Sequence, residues 1–305
     1  MHVWMGDVSP RAVERAPTRS RLRLCAALAL STLLGVCASC FVTIPAVVES
    51  DGQRDAAEEF LVDAPQPATS CPDLPLLDPP DAACPVSPDD GPMVPVQWSD
   101  GGVFCIDATE IRSDDYIRLY LTPAFTSKFD GGACAAQSAP NPPPAPFDKP
   151  TPKPAVINWC EANAFCRSVG RRLCRGGGDK LDPNTSEWFR ACTLDGGAFP
   201  FGPDAATGGC SYTSPLSNVG SRPCCVGSVR GLFDMSGNVA EWTSECASPV
   251  IDGGCSAHAL RGGSIRKDAE PERERCGSVE LSAPNTQRSN SGDLFAGARC
   301  CADPL

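Results

Sequence analysis

The sequence predicts an irregular, loop-rich α+β domain cross-linked by several disulfides. Three observations carry this. Pro, Gly and Cys (31, 28 and 19 of 305 residues) make up about a quarter of the chain, a composition of turns and cross-links rather than of a bundle or repeat array. Helical and strand periods are both weak, and no repeat of solenoid length is present. Setting Cys25, Cys37 and Cys40 aside from the 19 cysteines leaves 16, all beyond residue 70. An even number of that size suits disulfides in an oxidising compartment. Paired CxxC knuckles are absent and the histidines are His2 and His258, so a zinc ribbon fails on ligands.

The chain divides into three parts. Residues 1–48 carry Arg11, Arg15, Arg19, Arg21 and Arg23, then an apolar run from Leu24 to Val48 broken by Pro45. A basic flank before such a run reads as an export signal or membrane anchor. Ala38-Ser39-Cys40 resembles the end of a bacterial lipobox, making Cys40 the candidate lipidated residue; an uncleaved anchor and plain secretion are the alternatives. Residues 49–92 are acidic and proline-rich and read as an extended tether, with a local Cys71–Cys84 loop. Residues 93–305 form the folded domain. The formal charge of −11 and the lack of a basic patch interleaved with aromatics argue against nucleic acid as a partner.

Within the domain, Val103–Asp107 reads as a strand. A helix is expected near Asp114–Leu121, capped by Thr109 or Ser113. Residues 138–154 hold eight prolines and read as a surface loop. Trp159, Ala162, Phe165, Cys166 and Val169 recur at helical spacing, with Gly170 as the C-terminal cap. Ser186–Cys192 reads as a second helix, and short strands and long loops follow.

Nine motifs in order then carry a family resemblance. The first are Phe104-Cys105-Ile106-Asp107-Ala108-Thr109-Glu110, Pro154-Ala155-Val156-Ile157-Asn158-Trp159 and Gly170-Arg171-Arg172-Leu173, followed after an insertion by Ser186-Glu187-Trp188. Phe199-Pro200-Phe201-Gly202, Val219-Gly220-Ser221, Gly231 through Trp242 (GLFDMSGNVAEW), Arg261-Gly262-Gly263-Ser264 and Gly297-Ala298-Arg299-Cys300 complete the series. Together they resemble the formylglycine-generating enzyme, or sulfatase-modifying factor, family. The resemblance implies an irregular α+β fold related to C-type lectins. It implies disulfides Cys166–Cys300 and Cys192–Cys276, and a structural Ca²⁺ held by Asn238, the Val239 carbonyl and Glu241. Cys246 and Cys255 are expected to close a local loop. Cys105, Cys134, Cys160, Cys174, Cys210, Cys224, Cys225 and Cys301 are expected to form four further bridges.

Enzymes of that family oxidise a client cysteine to formylglycine with oxygen, using copper(I) bound by two cysteines after the Arg-Gly-Gly-Ser motif. Soft thiolates suit Cu(I). Here Ser264 is retained, but Ile265 to Arg275 contains no Cys, His or Met. The ligand positions fall near Lys267 and Pro271, and neither supplies a soft donor. Copper is therefore not expected, and Cys276 is read as structural. The glycine-rich Arg175–Lys180 lacks the Lys-Ser/Thr end of a phosphate loop. His258 has no partner for a hydrolytic triad and reads as a surface residue. The expected function is an exported, lipid-anchored envelope protein that serves in binding, of a protein or glycan, or in envelope structure, without the family's oxidase chemistry. The alternative is an active oxidoreductase with a relocated metal site.

Overall fold

A computed structural model describes residues 76–129, 134, 137, 139–142, 148–176, 182–193, 196–200, 202, 209–210, 212, 215–249, 255–265, 271–286 and 295–305. All lie in one unit, residues 63–305. The segment 1–48, Cys40 and Cys71 lie outside the described residues. Among those described, no helix is long and apolar enough to cross a membrane.

The architecture is α+β, with two four-stranded sheets. The first has the order β1-β2-β8-β3, from β1 (Met93–Gln97), β2 (Val103–Asp107), β3 (Arg172–Leu173) and β8 (Cys300–Ala302). The second has the order β6-β5-β4-β7, from β4 (Ala240–Pro249), β5 (Cys255–Arg261), β6 (Glu280–Ser282) and β7 (Ala296–Ala298). β4 and β7 run parallel and the other pairs antiparallel. Helices α1 (Ser113–Leu119), α2 (Pro123–Thr126), α3 (Trp159–Ser168) and α4 (Glu187–Cys192) connect and cover them.

α3 follows the expected stripe. Ala162, Phe165 and Cys166 are fully buried. Asn158 caps it: its side chain accepts from the Glu161 N–H, and the Glu161 carboxylate accepts from the Asn158 N–H. That reciprocal pair satisfies two orphan donors. Gly170 follows the helix at φ +77°, a conformation glycine adopts without strain. Ser186 caps α4 through the Phe189 N–H. The start of α1 differs from expectation: Arg112, not Thr109 or Ser113, precedes its first turn, with no side-chain cap. Asp114 and Asp115 favour that end through the helix dipole.

Seven disulfides are defined. Cys166–Cys300, Cys192–Cys276 and Cys246–Cys255 join the residues the sequence paired. Cys134–Cys160, Cys174–Cys301 and Cys210–Cys225 are further bridges. Cys84 bonds Cys105, which corrects the expected Cys71–Cys84 loop and removes Cys105 from the internal set. Cys224 is disulfide-bonded as well. Closures of 134 and 127 residues remove much freedom from the unfolded chain, each contributing roughly 2–5 kcal/mol. This set marks the protein as exported or extracellular.

Described residues ahead of the boundary expected at residue 93 also pack on the domain. Leu77 bridges Val229 in parallel, donating to the Ser228 carbonyl at 3.2 Å and accepting from the Arg230 N–H at 2.8 Å. Cys84 is tied to β2, and Leu305 donates to the Ala83 carbonyl at 2.9 Å. Asp90 pairs with Arg171 at 2.6 Å, and Arg171 also holds Asp107 at 2.5 Å. Residues 76–92 are thus a strap. Its composition reads as a tether because a disulfide, backbone bonds and one buried ion pair hold it, rather than an apolar face.

Burial, opposed by Arg171, raises the Asp90 carboxyl from 3.8 to about 6. The folded state therefore keeps a proton that the unfolded chain has already released. Stability from this group is full below the unfolded value and is lost as pH rises through about 6. We expect Asp90→Asn to reduce the loss of thermal midpoint that the native chain shows between about pH 4 and pH 6. Parallel midpoint curves for the two proteins would contradict the assignment.

Candidate functional site

The site is built where the 231–242 motif meets the Arg261–Ser264 turn. Asp234 and Asn238 both take left-handed backbone, at φ +56° and +57°, tolerated because short polar side chains bond locally there. The Gly237 N–H donates to the Gly262 carbonyl at 2.7 Å, and the Ile265 N–H donates to the Asn238 carbonyl at 3.0 Å. The turn needs both glycines. Gly262 sits at φ +83°, where a Cβ would stand 3.0 Å from the Met235 carbonyl and from the Trp188 ring. Gly263, at φ +68°, abuts the Glu274 carboxyl so closely that a Cβ would lie 2.1 Å from it.

At the centre lies a buried ion pair. Arg299 is 0% and Glu241 1% exposed. The Arg299 Nε donates to Glu241 Oε2 at 2.7 Å and its Nη2 to Oε1 at 2.6 Å. The remaining guanidinium bonds go to the Asp107 carbonyl at 3.0 Å and the Phe233 carbonyl at 2.9 Å. Trp188 Nε1 also donates to Glu241 Oε2, at 2.7 Å. Glu241 was expected to ligate Ca²⁺ with Asn238 and the Val239 carbonyl. Its two oxygens instead serve a guanidinium and an indole. Asn238 Oδ1 accepts from the Ser217 N–H at 3.1 Å. The trio read from sequence therefore does not fit a cation as a set.

Two further carboxyls lie beside this pair. Glu110 is 2% exposed and neither of its oxygens has a hydrogen-bond partner. Burial first, then Asp234 and Glu241, push its pKa well above the usual range. Burial also raises Asp234 to about 6, partly offset by the Gly220 N–H, which donates to it at 2.6 Å. Three buried carboxyls thus face one guanidinium. Two of them, Glu110 and Asp234, are hard oxygen donors of the kind Ca²⁺ takes. The sequence reading passed over both; an acidic residue next to the β2 run and another inside the glycine-rich turn were the available signals.

The copper positions look different. Lys267 lies outside the described residues, and Pro271 opens a 3₁₀ turn, Pro271–Glu274. Ser264 is fully buried, accepting from the Phe295 N–H at 3.3 Å and donating to the Ile265 carbonyl at 3.4 Å. Cys276 is sealed in its bridge to Cys192. All 15 described cysteines are disulfide-bonded, so no thiol remains among the described residues. Cys224 and Cys225, adjacent in sequence, are both oxidised, as expected for disulfide partners. Beside the turn opens a cavity of about 280 Å³, bordered by Gly263, Leu260, Arg273, Val279 and Glu280. Arg273 and Glu280 pair across its edge at 3.3 Å.

His258 also departs from expectation. It is 3% exposed rather than on the surface, stacked on Trp159 with ring centroids 3.8 Å apart.

Comparison with known proteins fits this frame. The formylglycine-generating enzyme of Streptomyces coelicolor is 33% identical over 176 residues, covering 48% of this chain and 51% of that protein. The mouse protein named inactive C-alpha-formylglycine-generating enzyme 2 is 29% identical over 163 residues, covering 48% and 47%. The chain thus spans about half the length of the curated relatives it matches. A solved structure titled Crystal Structure of CarF is similar at 16% identity and a TM-score of 0.40, over 75% of this chain and 97% of that one. The sulfatase-modifying factor enzyme 1-like domain matches residues 94–304, and the chain belongs to that family.

Proposed function

We propose that this is an exported, lipid-anchored family member that has lost copper–cysteine oxidation and uses its domain to bind a protein or glycan at the cell envelope. One observation carries the reading: every described cysteine is in a disulfide, and residues 265–275 supply no soft donor. Cu(I) chemistry needs thiolates. A relative that bears the name inactive is compatible with a fold kept without the reaction. The binding face is placed at the cavity beside Gly263. Its rim combines the Arg273–Glu280 pair with exposed Val279 and, nearby, Leu281. Apolar and charged groups side by side suit recognition better than chemistry.

Calcium belongs to the proposal in revised form. Glu110 and Asp234 would hold it, with Glu241 kept on Arg299. The ion would offset buried negative charge and fix the turn beneath the Arg261–Ser264 motif.

Three outcomes follow. The oxidised, folded protein should show no stoichiometric tight Cu(I) binding, and a sulfatase-type cysteine peptide should keep its mass after aerobic incubation with it. Tight Cu(I) binding abolished by one cysteine substitution, or conversion of the peptide to the aldehyde, would establish the oxidase instead. Calcium at millimolar excess should raise the thermal midpoint by a few degrees over chelator, and Glu110→Gln should remove that difference. A midpoint indifferent to Ca²⁺ in the native chain sinks the site. Finally, Cys40→Ala should move the protein from the membrane fraction to the soluble one; retention in the membrane would mean an uncleaved anchor.

A further inference from the structure

Among the seven defined disulfides, Cys246–Cys255 differs in place and in surroundings. Each of the other six has at least one fully buried half-cystine, whereas Cys246 and Cys255 are both only half-buried. It also closes the shortest loop, 9 residues, against 15 to 134 for the rest. It sits towards the end of the β4–β5 hairpin, where the ladder carries register shifts around Cys246 and Ser248. Opening it would release a hairpin end while the buried bridges keep the core closed.

The residue paired with Cys246 across the ladder is His258. Side chains directly opposite in an antiparallel pair lie on one face with Cβ atoms about 5 Å apart. His258 Nδ1 lies 3.2 Å from the Glu245 carbonyl. A carbonyl only accepts, so Nδ1 carries the proton and Nε2 keeps a lone pair. Nε2 is buried and has no hydrogen-bond partner. Burial lowers the imidazole to about 4, so it is a neutral base at physiological pH. The other charged groups here are Glu245 and Arg261, paired with each other at 2.5 Å. α3 presents Trp159 and β6 presents Ser282, both uncharged.

We propose that the Cys246–Cys255 bridge is a thiol–disulfide exchange site that accepts electrons from an accessible dithiol, with His258 taking the Cys246 proton when the bridge re-forms. A client thiolate attacks the Cys255 sulfur. The Cys246–Cys255 bond breaks and its electron pair leaves on Cys246, which takes a proton from water. The client's second thiolate then attacks the mixed disulfide and releases the Cys255 sulfur, which is protonated in turn. The client is oxidised to a disulfide and the bridge reduced to two thiols, a transfer of two electrons balanced by two protons. In the reverse direction His258 Nε2 takes the Cys246 proton, generating the thiolate that attacks. Such exchange depends on thiolate fraction and on access.

The test uses the full chain in graded dithiothreitol, trapped with iodoacetamide and mapped by mass spectrometry. Cys246 and Cys255 should become alkylated together, at reductant levels that leave the buried bridges intact. Trp159 fluorescence should change with the same midpoint, since its ring stacks on the hairpin's imidazole. His258→Gln should slow reoxidation of the pair by at least about tenfold near neutral pH, with unchanged circular dichroism. Opening of the pair only together with the buried bridges would overturn the proposal. An unchanged reoxidation rate and pH profile in His258→Gln would overturn the role of the imidazole.

Discussion

The Arg299–Glu241 pair is the interaction on which the rest of the structure depends. Burying two charges costs several kcal/mol per ion unless geometry and further hydrogen bonds compensate. Here both partners are satisfied. Arg299 holds β4 through Glu241, the end of β2 through the Asp107 carbonyl, and the glycine-rich turn through the Phe233 carbonyl. Glu241 in turn fixes Trp188 of α4. Elements from both sheets, a helix and the motif turn converge on one ion pair. Loss of either partner would leave an uncompensated buried charge, a change worth roughly 3–5 kcal/mol.

The cysteines next to Arg299 extend this tie outward. Cys300 and Cys301 are consecutive on β8, and successive side chains of a strand point to opposite faces. Cys300 joins Cys166 of α3 within the cluster around Tyr116, Phe165 and Trp242. Cys301 joins Cys174 within the cluster around Phe104, Trp188 and Met235. One dipeptide thus cross-links both halves of the core. The same alternation works on β2, where Phe104 and Ile106 enter the second cluster and Cys105 bonds Cys84 of the strap.

Local signals made α3, α4 and β2 legible in the sequence, α3 by a helical stripe, and α4 and β2 as short, largely apolar runs that the fold buries almost throughout. Ordered motifs made the family legible. What stayed hidden depends on long-range partners. Asp90 and Arg171 stand 81 residues apart, so the strap's acidic, proline-rich composition reads as solvated chain. Glu110, Asp234 and His258 each look like surface groups until the fold buries them. The turn at Asn238 was recognised for its oxygens, but the choice between cation and guanidinium turned on Arg299, 58 residues from Glu241. A buried charge becomes readable only once its counter-charge is placed.

The same logic explains how the chain keeps its frame without the family's thiols. The Arg261–Ser264 turn is held by Gly262 against Trp188 and Met235, by Gly263 against Glu274, and by backbone bonds to Gly237 and Asn238. All of these contacts are made by residues of the motifs and of the described core around them. In the sequence, the segment that follows the turn offers no soft donor. Ser264, by contrast, is woven into the backbone bonds of Ile265 and Phe295, so it persists as a structural residue whatever its chemical use. These contacts belong to the motif residues and their packing partners, so the motifs report the frame and not the reaction.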